Sequence, residues 1–152
     1  MKATIKAAPL LLPVLLGLAL LLTATGRAAA SFNDDHALAF FFRSDCPFCH
    51  QFAPVLKQFG EENKFFIYPF SLDGAGLPPF SQPLRATPAI TSLFSPRVVP
   101  ATYLVNVHNR RFIRIAEGMV RAEDLQKTLE QIKNDKALLA RLDAESDEGA
   151  GI

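Results

Sequence analysis

A continuous apolar run, Ala37-Leu38-Ala39-Phe40-Phe41-Phe42, ends four residues before Cys46-Pro47-Phe48-Cys49-His50, which holds both cysteines of the chain. An unbroken apolar run of strand length predicts a strand buried on both faces, and such strands lie inside a sheet covered by helices. Beyond it the apolar spacing changes: Phe48, Phe52, Val55, Leu56 and Phe59 recur at helical intervals. Ser44 or Asp45 can cap that helix and Gly60 suits its end, so Cys46 is expected at a helix N-terminus. Pro54 falls inside the helix, where it removes one backbone hydrogen bond and should kink the axis.

The rest of the chain extends this pattern. Ser31 to Asp35 reads as a polar lead-in. Lys64 to Phe70, carrying Phe65, Phe66, Ile67 and Tyr68, reads as a second strand, so the order predicts a βαβ unit with parallel strands. Residues 71–100 hold Gly74, Gly76 and six of the eleven prolines, which is loop chemistry. A short helix over Pro88 to Phe94 is expected there, with Thr87 as its cap. Ala101 to Val107 and Arg111 to Ala116 are β-rich and joined through His108-Asn109-Arg110, a hairpin signal. From Ala122 to about Leu142 the spacing is helical, with Glu123 and Asp124 in the first turn and Leu125, Leu129 and Ile132 on one face. Asp143 to Ile152 is acidic and Gly-rich and is expected to be a disordered tail.

Lys2 and Lys6, the apolar run Leu10 to Leu22 and Ala28-Ala29-Ala30 form a secretory signal pattern over residues 1–30, with cleavage expected after Ala30. The apolar run is about 13 residues, short of the roughly 20 that cross a bilayer. A retained anchor is the alternative, and only then would the chain meet a membrane. The remainder forms one domain, residues 31–142, followed by the tail. Without Lys2, Lys6 and Arg27 it carries 13 basic and 15 acidic residues, which excludes nucleic acid as a default partner. Export places the thiols where disulfides form. A bridge closing so short a loop is a poor staple, so a redox centre is the leading reading of the CxxC. The rival is a zinc half-site completed by His50, His36 or His108, but a second CxxC or a paired His motif is missing. His36 and His108 read as solvated.

Cys46 and Cys49, Pro54, the string Val99-Pro100-Ala101-Thr102 before a strand, and the βαβ…ββα order together resemble the thioredoxin fold. The resemblance runs from about Ala37 to Leu139. It implies an α/β architecture with a central mixed sheet flanked by helices. It also implies that Cys46 is the attacking thiol, Cys49 the resolving thiol, and Pro100 a cis-proline facing the pair. Val99 would then offer backbone groups to an extended substrate segment. Asp45 stands where reductive thioredoxins usually have Trp, and Phe40 where they bury an acid, which points away from a cytosolic-type reductase.

Cys-Pro-Phe-Cys-His resembles the Cys-Pro-Tyr-Cys-His of exported Dsb-like isomerases and of the TrbB family of conjugative-transfer thiol-disulfide isomerases. What this implies is a periplasmic disulfide isomerase or oxidoreductase acting on cysteine-containing envelope proteins, such as conjugative pilus or type IV secretion components. A redox partner would reset the pair, and neither a metal nor a cofactor beyond the Cys46-Cys49 disulfide is implied. Two alternatives stay open: a membrane-tethered reductase of the cytochrome c maturation type, and a non-enzymatic chaperone or binding module.

A helix N-terminus stabilises a thiolate and lowers its pKa from about 8.5 into the range of roughly 3.5 to 7.5. His50 and Arg43 can add positive charge near Cys46, whereas Asp45 would oppose ionisation if turned inward. Phe48, inside the motif, is expected to be partly exposed and able to contact unfolded substrate. Isomerase, oxidase and reductase differ only in which exit from the mixed disulfide dominates.

Overall fold

The computed structural model describes residues 31–144, so the expected signal segment and the tail beyond Ala144 lie outside the described residues. The elements run α1 (Phe32–Asp35), β1 (His36–Phe42), α2 (Pro47–Glu62), β2 (Ile67–Ser71), β3 (Leu84–Arg85), α3 (Pro88–Phe94), β4 (Ala101–Asn106), β5 (Phe112–Glu117), α4 (Ala122–Asn134) and α5 (Lys136–Asp143). Every residue of β1 is buried. That strand is the centre of a five-stranded sheet ordered β3-β2-β1-β4-β5. β2 runs parallel to β1, with Leu38 opposite Ile67 and Phe42 opposite Ser71. β4 is antiparallel to β1 and β5 antiparallel to β4, with a register shift between Thr102 and Tyr103. The sheet is mixed and covered by helices, which is the thioredoxin-type α/β fold.

Alternation along β1 divides the core. Leu38, Phe40 and Phe42 pack with Phe52, Leu56 and Phe59 of α2 and with Leu125, Leu129 and Ile132 of α4. Ala39 and Phe41 face the other way, into an aromatic layer closed by α3. There the Phe41 ring lies 5.0 Å from both Phe70 and Phe94 and 5.6 Å from Tyr103. Each such buried ring contributes about 1.5–3 kcal/mol by leaving water, so both faces hold β1 in place. Its C-terminal end therefore presents the following turn from a rigid base.

Several boundaries differ from expectation. Gly60 does not end α2, which continues to Glu62; Asn63 caps it and Lys64, at φ +57, turns the chain. Gly60 instead admits β2, because a Cβ there would sit 2.6 Å from Ile67 Cδ1. β2 accordingly begins at Ile67 rather than Lys64. The polar lead-in is a helical turn, α1, closed by a capping box between Ser31 and Asp34. The long C-terminal helix is broken at Asp135, whose Oδ1 accepts from the backbone of Ala137 and Leu138, both at 3.0 Å, and so starts α5. β3, inside the proline-rich stretch, has no counterpart in the sequence reading.

His36 is buried, not solvated. Its Nδ1 lies 2.7 Å from the Phe32 carbonyl and its Nε2 3.0 Å from Asp143 Oδ1, which also accepts from Asn106 Nδ2 at 3.0 Å. The ring stacks on Phe32 at 4.2 Å. Asp143 thus belongs to α5 and its packing rather than to a tail. His108 is exposed, with Nε2 3.0 Å from Asp35 Oδ1. Among the described residues no helix is long and apolar enough to cross a membrane.

Candidate redox site

Cys46 is the N-cap of α2, with Pro47 at the first helical position. Proline suits that position because its missing N–H would have had no helical partner. The Cys46 sulfur accepts from the Cys49 backbone N–H at 3.1 Å. The two cysteines are joined as a disulfide, with Cα atoms 5.2 Å apart. Cys49 is fully buried while Cys46 is partly exposed, so a reacting sulfur can approach only Cys46. On reduction, the free amides and positive end of α2 lie where negative charge on Cys46 would develop.

Val99 and Pro100 close the site from a distant part of the chain. Their peptide bond is cis, and the Val99 carbonyl lies 3.9 Å from the Cys46 sulfur. Pro100 is buried, and its carbonyl accepts from Gly118 N at 2.7 Å. Among the described residues the Val99 N–H has no acceptor, which leaves one edge of backbone open beside the sulfur. Phe48 is 60% exposed, and Val98 and Met119, which adjoin Val99 and Gly118, are half exposed. Phe48 is marked in the sequence by its place in the motif, whereas Val98 and Met119 carry no such local signal, their segments being joined only by the Pro100–Gly118 hydrogen bond.

The charges around the motif are largely spent on each other. Arg43 Nε donates to Asp45 Oδ1 at 2.9 Å and Nη2 to Oδ2 at 3.2 Å. This hydrogen-bonded pairing holds the Asp45 carboxyl below its ordinary value and raises Arg43. Neither therefore acts alone on the sulfur. His50 is exposed, and its Nε2–H donates to the Ser44 carbonyl at 2.7 Å rather than to either cysteine. Its ring is laid against the turn that precedes Cys46.

Asp73 was not singled out from the sequence. Its Oδ2 accepts from the backbone and hydroxyl of Ser44, both at 2.8 Å. Its Oδ1 accepts from the Ser71 hydroxyl at 2.7 Å and Ala75 N at 3.2 Å. These bonds, the one from Ser71 first, hold its carboxyl far below the ordinary carboxylate range. The local signal was an Asp-Gly step after a strand, with Gly74 at φ +83; what it binds, 29 residues away, was not visible.

The histidines do not gather around the cysteines. His36 and His108 lie at the opposite end of β1, whose seven residues span roughly 20 Å at 3.3 Å each. Among the described residues no cluster of three or more His, Cys, Asp or Glu is placed to hold a metal ion.

A disulfide capping a helix, with one sulfur exposed and the other buried behind it, fits a CxxC redox site. The chain is 34% identical over 87 residues to protein TrbB of Escherichia coli strain K12, a match covering 55% of this chain and 48% of TrbB. It thus spans about half the length of that relative. Solved structures similar to it include MTB DsbF, at 19% identity and TM-score 0.49, covering 64% of this chain and 81% of that one. Another is a putative thiol:disulfide interchange protein DsbE from Chlorobium tepidum, at 18% identity and TM-score 0.49, covering 65% and 80%. The family described as TraF, F plasmid transfer operon protein, matches residues 23–129, a span that takes in the CxxC, Asp73, Pro100 and Gly118. The chain belongs to the TraF family.

Proposed function

We propose that this protein is an exported thiol-disulfide oxidoreductase, with isomerase as its principal activity, serving cysteine-containing envelope proteins of a conjugative transfer apparatus. The observation that carries the reading is the contrast in access between Cys46 and Cys49 across a helix-capping disulfide. Membership of the TraF family and the similarity to TrbB support the conjugative setting. Residues 1–30 act as the signal peptide, and cleavage after Ala30 releases the domain into the periplasm.

In the reduced protein the Cys46 thiolate attacks a substrate disulfide. A Cys46–substrate disulfide forms as the substrate S–S bond breaks, and one substrate sulfur leaves as thiolate. If that thiolate attacks another substrate disulfide and the rearranged chain displaces Cys46, pairing changes with no net oxidation. If Cys49, after losing its proton, attacks the Cys46 sulfur instead, the Cys46–Cys49 disulfide forms and the substrate leaves reduced by two electrons. A separate thiol-disulfide partner then resets the pair. The open backbone of Val99 pairs with an extended substrate segment, Pro100 holds that edge against Cys46, and Phe48 supplies apolar contact. His50, fixed on the Ser44 carbonyl, brings a protonatable ring to the edge of the site. The chemistry requires no cofactor or metal beyond the two sulfurs.

Replacing Cys49 with Ala removes the internal exit, so Cys46 should accumulate in mixed disulfides with its clients. Mass spectrometry of the trapped species from conjugation-competent cells should identify envelope components of the transfer apparatus. Capture of nothing covalent would defeat the exchange mechanism. Refolding of a scrambled multi-disulfide protein tests the direction: recovery by the reduced form without added oxidant is the isomerase outcome.

A further inference from the structure

We propose that Asp73 is a positioning residue for the redox site, holding from the loop after β2 the turn that sets Cys46 at the start of α2. The role rests on the redox reading of Cys46 given above. Arg43 to Cys46 is a weakly self-supported turn: its own backbone hydrogen bond, Cys46 N to the Arg43 carbonyl, is 3.3 Å long. The side chains of Arg43 and Asp45 bond to each other on the outside. Ser44 is the residue that reaches inward, and both its N–H and its hydroxyl end on one oxygen of Asp73 at 2.8 Å.

The other Asp73 oxygen is fixed to the Ser71 hydroxyl. Ser71 is fully buried and lies opposite Phe42, the last residue of β1. Asp73 therefore ties the turn to the paired ends of the two central parallel strands. An ionised carboxylate has about four lone-pair sites, and here four donors occupy them. The constraint reaches further, because the carbonyl of Ser44 is the acceptor that holds the His50 ring at 2.7 Å. One carboxylate thus sets the approach of the Cys46 sulfur to the α2 amides and the seat of His50.

Charge and position predict opposite signs. As a negative charge, Asp73 would disfavour the Cys46 thiolate, and its removal would ease ionisation. As a positioning group, its removal loosens the turn, weakens the contact between the sulfur and the helix amides, and makes ionisation harder.

The test measures iodoacetamide alkylation of Cys46 against pH in the reduced full-length chain, together with its redox equilibrium with glutathione. Asp73→Ala should move the alkylation midpoint to higher pH. It should also displace the equilibrium toward the disulfide by about tenfold, a potential about 30 mV lower for this two-electron couple. Ser44→Ala, which keeps the backbone bond and the fold, should move both readouts the same way by roughly threefold. His36→Leu, a destabilising change at the far end of β1, should leave both in place. A midpoint that stays put or falls in Asp73→Ala and Ser44→Ala overturns the positioning role. Absence of glutathione exchange in the unsubstituted chain would instead overturn the redox reading, and the proposal with it.

Discussion

The two ends of strand β1 are built from similar polar groups and put them to opposite uses. At its start, His36 is enclosed with each ring nitrogen facing an acceptor, the Phe32 carbonyl on one side and Asp143 on the other, with Asn106 completing the set. Beyond its end, Asp73, Ser44 and His50 also form a chain of hydrogen bonds, but this chain braces the turn before a sulfur that stays partly exposed. The first network is centred on a buried ring, and its role is to dock α1, β4 and α5 onto β1. The second lies beside one accessible atom, which is where chemistry can occur. Hydrogen bonding alone does not separate a structural cluster from a reactive one; the presence of an accessible atom beside it does.

The largest effects should fall on opposite readouts at the two ends. Cys46→Ser should lower thiol-disulfide exchange by at least about a thousandfold, because a hydroxyl is a far poorer nucleophile than a thiolate. Its stability, compared with the reduced protein, should stay within about 0.5 kcal/mol, as is usual away from core features. His36→Leu should do the reverse. It removes the ring that bridges the Phe32 carbonyl and Asp143, which costs about 2 kcal/mol, while exchange in the folded fraction is retained. Chemical denaturation and a glutathione exchange assay on both variants check the contrast; loss of exchange in folded His36→Leu would break it.

That contrast also explains what was legible beforehand. The strand Ala37–Phe42, the helix carrying both cysteines and the hairpin were readable because hydrophobic spacing encodes them locally, and the fold class followed from their order. Cys46 and Cys49 stood out because cysteine is scarce in this chain. His36 was misplaced because its burial depends on Asp143, 107 residues away, and a polar residue beside an apolar run gives no sign of such a partner. Asp73 was missed for the same reason, its bonds to Ser44 being set by the pairing of β1 with β2. The break at Asp135 was closer to hand, since Asp suits an N-cap better than a helix interior. The strong periodicity of Leu125, Leu129 and Ile132 masked it. β3, with two residues, is too short to have a period.

A smaller effect sharpens the comparison through pH. The Asp73 carboxyl is depressed from an ordinary value of 3.8 by hydrogen bonds from Ser71 and Ser44, so the folded state favours its ionised form. Its contribution to stability is fully present above the unfolded-chain value and is lost as pH falls from there through the folded value. Asp73→Asn lacks this component. Its melting temperature should lie below that of the parent at pH 6, and the gap should narrow as pH falls from about 4 toward 2. A gap that is constant over this range would mean that the bonds at the site do not depend on the charge of Asp73.

The smallest predicted effect concerns the surface beside the open sulfur. Phe48 is 60% exposed at the second helical position of α2, so little packing is lost when its ring is removed. Phe48→Ala should leave stability within about 0.5 kcal/mol of the parent. A protein substrate that covers the ring would lose part of its buried apolar area, worth about 25 cal/mol per Å². A contact of roughly 40 Å² then corresponds to about 1 kcal/mol, or a fivefold rise in KM. Glutathione can cover less of the ring than a protein segment does, so its exchange rate should change less. A loss for the protein substrate that exceeds the loss for glutathione would place Phe48 in recognition rather than in tuning the sulfur. Equal losses for both would move it into the support of Cys46, and the open end of β1 would then rely on packing as well as on the hydrogen bonds of Asp73.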